Sequence, residues 1–136
     1  ACIMLQHYIE RGAMRNAVLS IRHRLDRVGI MLSGLCALHC LVGLVLVTLL
    51  GLGGEAFLAP AIHRAGLALA VLVGIVTLGL GVRRHGQIAP LMIGSCGIAL
   101  MAGGLAVPHG AAEAVLTVAG VALVALAHIW NLRHAA

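Results

Sequence analysis

Of the 136 residues, 62% are hydrophobic and only 10% charged, which excludes a soluble globular domain, where about a quarter of residues are charged. Nine basic residues, all of them arginine, against four acids give a net charge of +5. They flank apolar runs instead of forming one patch, and the only aromatic residues are Tyr8, Phe57 and Trp130, so nucleic acid is not an expected partner. The apolar residues fall in blocks of about twenty, the length that crosses a hydrocarbon layer of ~30 Å, so the lipid bilayer is.

Residues 1–26 read as a basic leader, partly disordered or interfacial, with Met14 heading its arginine-rich part. The run from Val28 to Leu52 exceeds the 7–15 residues of a signal core and lacks a small-x-small cleavage site, so a retained signal-anchor helix is expected. Residues 27–134 then form one domain with spans at about 28–52, 62–82, 88–107 and 112–130. Its connections are marked by breakers: Gly51, Gly53, Gly54, Glu55 and Pro60; then Arg83-Arg84-His85-Gly86; then Pro108-His109-Gly110. Short links favour antiparallel neighbours, so the expected fold is all-α, an integral membrane four-helix bundle. Five arginines between Arg11 and Arg27, Arg83 and Arg84 in the second link and Arg133 in the tail place both termini in the cytoplasm by the positive-inside rule. Small residues let helix backbones approach: Gly66, Ala70 and Gly74 in span two, Ser95, Ala99 and Gly103 in span three, and Ala119, Ala122 and Ala125 in span four. Such faces also offer a route to a homo-oligomer.

The chemistry concentrates in Ser33-Gly34-Leu35-Cys36-Ala37-Leu38-His39-Cys40-Leu41. Cys36, His39 and Cys40 stand at i, i+3 and i+4, on one face of a helix, within a run free of Lys, Arg, Asp and Glu. Polar ligand types are costly in such a span and mark a functional site. Cys36 lies about eight residues, roughly 12 Å, into the span, which puts His39 and Cys40 near mid-bilayer. Thiolate and imidazole suit Zn(II), Cu(I) or, softest, Hg(II); no intramembrane carboxylate is read that would suit a hard ion. An i, i+4 cysteine pair is badly placed to bond to itself, so the thiols are expected to be reduced. Weaker candidates are Met92 with Cys96 in span three and His128 with Asn131 in span four. Cys96 alone reads as packing, and His63, His85 and His109 as solvated histidines at helix ends. No Ser/His/Asp set, paired carboxylates or phosphate-binding glycine loop is present, so no catalysis is expected. With no nucleotide motif, any driving force comes from gradients or from capture on the far side.

Asp26-Arg27-Val28-Gly29, the Cys36–Cys40 stretch, Gly81-Val82-Arg83-Arg84-His85 and the close Ala127-His128-Ile129-Trp130-Asn131-Leu132-Arg133 together resemble the MerC domain of bacterial mercury-resistance membrane proteins, over roughly residues 26 to 134. The resemblance implies a multi-pass protein of the bacterial inner membrane that moves mercuric ion or a related metal such as zinc, passing it between Cys36 and Cys40 with His39 alongside, and with no permanently bound cofactor. Two features depart from the family pattern. Cys-x-x-His-Cys replaces a Cys-x-x-Cys pair, and no cysteine follows Cys96 where members carry a second pair. These departures fit soft-metal binding better than a full thiol relay. The alternatives are a non-transporting metal- or haem-binding module, with His39 and His128 as the haem pair, and a structural subunit of a membrane complex.

Overall fold

The computed structural model describes residues 2–50 and 59–134, so the glycine-rich first connection, apart from Pro60, lies outside the described residues. Four helices follow in order: α1 (Cys2–Leu50), α2 (Pro60–His85), α3 (Ala89–Gly104) and α4 (Ala111–Arg133), with no strand among the described residues. The all-α bundle is as expected. Each of the three prolines marks a boundary: Pro60 and Pro90 open α2 and α3, where a missing N–H breaks no helical bond, and Pro108 stands in the turn before α4. Gly86 ends α2 with φ 69, a left-handed conformation that favours glycine, and its N–H closes on the Val82 carbonyl.

At 1.5 Å per residue α1 is about 74 Å long, α2 about 39 Å, α4 about 35 Å and α3 only about 24 Å. Three helices are thus long and apolar enough to cross a membrane, and α3 is a shorter apolar helix. It stops at Gly104, before the 107 expected, because the paired glycines Gly103 and Gly104 give way to a turn. The expected leader is no separate piece. Residues 2–26 continue directly into the apolar run as one helix, with no proline in 2–50 to break it.

Helices consecutive in the chain are antiparallel, as are α1 and α4. Cys36 faces Gly66 and Cys40 faces His63 between α1 and α2; Gly74 lies near Ile98 between α2 and α3; Gly29 and Asp26 meet His128 between α1 and α4. α2 and α4 keep α1 and α3 apart. Ala70, Met101, Val121 and Val124 fill the centre, with Cys36 packed against them.

The tightest joint is between α3 and α4. A Cβ on Gly97 would lie 2.6 Å from the Gly120 carbonyl oxygen, and one on Gly120 the same distance from that of Gly97. Backbone touches backbone there, as small residues allow in membrane helices. Of the small-residue rows, Ala70 and Gly74 in α2 are buried as expected and Gly66 partly so. On α3 the expected row is not the inward one. Pro90, Gly94, Gly97, Met101 and Gly104 are buried, whereas Ser95 and Ala99 face outward. On α4 the buried stripe runs through Thr117, Gly120, Val124 and Ala127, and Ala119 and Ala122 are exposed. α3 is apolar all round, so periodicity carries no inward signal there, while on α4 the polar residues Glu113, Thr117, His128 and Asn131 lie on the buried face.

Candidate metal centre

Within the charge-free part of α1, one helical face turns toward the start of α2. Cys40 is 4% exposed and its Sγ lies 3.6 Å from His63 Nε2. Cys36, one turn earlier, is half-buried against Gly66, where a Cβ would stand 3.5 Å from its Sγ. The His39 and His63 rings meet edge to face at 5.9 Å. Cys36, His39, Cys40 and His63 share one cavity of about 380 Å³ whose other walls are largely leucine, isoleucine and methionine. Cys36, Cys40 and Cys96 are all free thiols. No three of the described His, Cys, Asp and Glu side chains converge tightly enough to hold one ion as they stand, so an ion held by Cys36, His39 and Cys40 would have to draw them together.

The cluster is off centre. His63 is in the first turn of α2, and Cys40 beside it lies near the end of the bundle where α2 and α4 begin, not midway along them. The run that suggested a central position continues past the start of α2, since α1 extends ten residues beyond Cys40 to Leu50.

A second cavity of about 190 Å³ adjoins the first through Cys40 and His63 and is bounded by His109 and Glu113. His109 Nδ1 lies 2.8 Å from Glu113 Oε2, and His63 Nδ1 3.9 Å from Glu113 Oε1. His63 and Glu113 are 9% and 5% exposed, so neither the histidine expected to be solvated nor the carboxylate is at the surface. The i, i+4 spacing of His109 and Glu113 was the only sequence signal; their meeting with His63 is a long-range contact.

The opposite end of the bundle holds a buried polar lattice. Asp26 Oδ1 accepts from His128 Nδ1–H at 2.8 Å, and both Asp26 oxygens accept from Asn131 Nδ2, at 3.2 and 3.0 Å. Arg22 Nη2 donates to the Asn131 backbone carbonyl and to its Oδ1, each at 3.1 Å, while Arg22 Nε lies 3.8 Å from Asp26 Oδ2. From α2, the Thr77 carbonyl accepts from Asn131 at 3.4 Å and the Thr77 hydroxyl lies 3.4 Å from His128 Nδ1. Asp26, Thr77 and Asn131 are fully buried, and Arg22 and His128 nearly so. Gly29 makes room: a Cβ there would lie 2.5 Å from His128 Nε2. We call this lattice the latch. Carboxylates therefore do enter the bundle, through Asp26 and Glu113 at the margins of the apolar runs.

A family model described as MerC mercury resistance protein matches residues 26–133. The chain belongs to the MerC family. No curated protein and no solved structure matches it. With three helices able to span a bilayer, this MerC protein is a multi-pass membrane protein of a mercury-resistance family. The match begins at Asp26 and ends two residues after Asn131, so the two ends of the MerC domain are the residues that bind each other in the latch.

The weaker candidates are not brought to the cysteine cluster. Met92 and Cys96 face outward from α3. His128 and Asn131 sit in the latch, and His128 lies against Gly29, seven residues and about 10 Å along α1 from Cys36. The cavity that Cys36 and His128 both border is a narrow seam of about 10 Å³, no more than one water's space. His39 is a further three residues along, about 15 Å from Gly29, too far for His39 and His128 to bracket one haem iron. Beyond these, the His85 side chain lies outside the described residues, and His134, exposed, stacks on Trp130.

Proposed function

We propose that this MerC-family protein carries a soft heavy-metal cation, mercuric ion or a related metal such as zinc, across the bacterial inner membrane, and that it is a carrier and not an enzyme. Both termini are cytoplasmic in this reading, which follows the arginine distribution. Cys36 and Cys40 are the ligands and His39 assists; His63 is added as the group beside Cys40. The observation that carries it is the single cavity shared by Cys36, Cys40, His39 and His63 within an otherwise apolar part of the bundle. Thiolates bind soft ions in preference to hard ones, and a site that adjusts around its ion suits release as well as capture, since conduction needs binding weak enough to leave.

The test is uptake of mercuric ion and zinc into proteoliposomes. Cys36→Ser plus Cys40→Ser is expected to reduce uptake to that of empty vesicles, and unchanged uptake would sink the reading. His63→Ala, which removes a neighbour of Cys40 and leaves both thiols, is expected to lower uptake by about 10- to 100-fold, the usual effect of losing a group that orients a ligand.

The narrow seam between Cys36 and His128 favours a second reading, a membrane protein that binds metal without moving it. Metal bound stoichiometrically by purified protein, with no uptake in vesicles, would support that one.

A further inference from the structure

Two buried atoms at the α2–α4 end have no hydrogen-bond partner among the described residues: His63 Nδ1 and Glu113 Oε1. They face each other at 3.9 Å, too far for a hydrogen bond, across a margin of the cavity bounded by Cys40, His109 and Glu113. Position at the α4 N-terminus accounts for a carboxylate there, because the helix dipole favours negative charge in the first turn. It leaves the orphaned Oε1 and the orphaned imidazole nitrogen without explanation.

We infer that His63 Nδ1 and Glu113 Oε1 are the protein ligands of an outer cation site, free of thiolate, that takes a borderline divalent ion of the zinc class. With metal–ligand distances of about 2.0–2.2 Å, the two donors around one ion would be about 3.4 Å apart at a tetrahedral angle and about 4.2 Å apart if opposed. The observed 3.9 Å falls between. The surroundings match the pattern in which each ligand is held by a second group. His109 Nδ1–H donates to Glu113 Oε2 at 2.8 Å, and with Nδ1 on the metal, His63 presents Nε2–H to Cys40 Sγ at 3.6 Å. One nitrogen and one oxygen, completed by water, make a weak and exchangeable site.

Its place in the molecule defines its role. The site lies at the bundle end in the first turns of α2 and α4, and His63 borders both this cavity and the one containing Cys36 and Cys40. An ion there is one imidazole away from the first thiol. The role as the mouth of a metal path rests on the reading of the protein as a carrier; the binding site itself does not.

The experiment uses purified full-length protein in detergent, with Co(II) as a spectroscopic probe for zinc. In the Cys36→Ser, Cys40→Ser background, Co(II) is expected to bind with d–d absorption and without a thiolate-to-cobalt charge-transfer band. Adding Glu113→Gln, close in shape, is expected to weaken Co(II) binding at least tenfold, and His63→Gln in the same background to do likewise, with helicity by circular dichroism unchanged. Co(II) binding that is absent from the double-serine background, or that survives both further substitutions, overturns the site. Mercuric uptake that persists in the double-serine protein while Glu113→Gln abolishes Co(II) binding would instead remove the thiol carrier reading and leave this site standing.

Discussion

Asp26→Ala is expected to destabilise the bundle by about 3–5 kcal/mol, the effect of removing one partner from a buried charge pair, measured by unfolding in mixed micelles with circular dichroism. The carboxylate is fully buried and accepts from His128 at 2.8 Å and from Asn131 at 3.0 and 3.2 Å, with Arg22 Nε at 3.8 Å. Without it the Arg22 guanidinium, 2% exposed, keeps its charge with no counter-charge among its contacts with the described residues. His128 Nδ1–H loses the carboxylate, and Asn131 Nδ2 keeps only the Thr77 carbonyl at 3.4 Å. The charge decides the size of the effect. Neutral hydrogen bonds between membrane helices contribute only about 0.6 kcal/mol on average, because the unfolded chain in the membrane also finds partners. Asp26→Asn should therefore retain little of the stability, although it keeps an oxygen for His128, since the guanidinium remains uncompensated. Glu10→Ala, on the exposed part of α1, is the control and should stay within about 0.5 kcal/mol of the parent. If Asp26→Ala unfolds with that control, the latch does not hold α1 to α4.

The second large effect is expected at the α3–α4 crossing. Gly97→Ala and Gly120→Ala each place a methyl 2.6 Å from a backbone oxygen of the facing helix, and neither backbone has a rotamer by which to retreat. Each change should destabilise by about 1–3 kcal/mol, the usual range for overpacking, and valine at either position should do worse. The double substitution should fall short of the sum, because the first one already separates the helices and the two sites share a contact. Gly103→Ala is the discriminating control. It has nothing within 4 Å of its added carbon, so it gains helix propensity of up to about 1 kcal/mol with no clash. Equal behaviour of Gly97→Ala and Gly103→Ala would show that the crossing is looser than these distances.

Much of this organisation is legible in the chain. Uniform apolar runs separated by Pro60, Arg83-Arg84-His85-Gly86 and Pro108-His109-Gly110 are enough for four helices, and a cysteine–histidine triplet in a charge-free run is enough to single out Cys36, His39 and Cys40. Facing is harder to read. In water an inward stripe contrasts with a polar outer face; α3 has no such contrast, so Ser95 and Ala99 look as good as Gly94 and Gly97. Charges mislead differently. Arg22 reads as one of the flanking arginines of the positive-inside rule, although its i, i+4 spacing from Asp26 and their opposite sign already suit a pair. That they turn inward depends on His128 and Asn131, more than a hundred residues away. The meeting of His63 with Glu113 is likewise a product of the packing of α2 against α4, with no local pattern to announce it.

The unbroken course of α1 has a mechanical consequence. Asp26, Cys36 and Cys40 ride on one continuous rod, and the rod is pinned to α4 by buried charge, while α4 is pinned to α3 by touching backbones. Turning α1 about its axis to aim the thiols elsewhere would tear Asp26 from His128 and Asn131. In the carrier reading proposed above, α2 is therefore the helix whose shift breaks the fewest buried polar ties. It meets Cys40 through His63 at one end and the latch through the long contacts of Thr77 at the other, and its remaining hold is apolar packing such as Leu78 on Gly94.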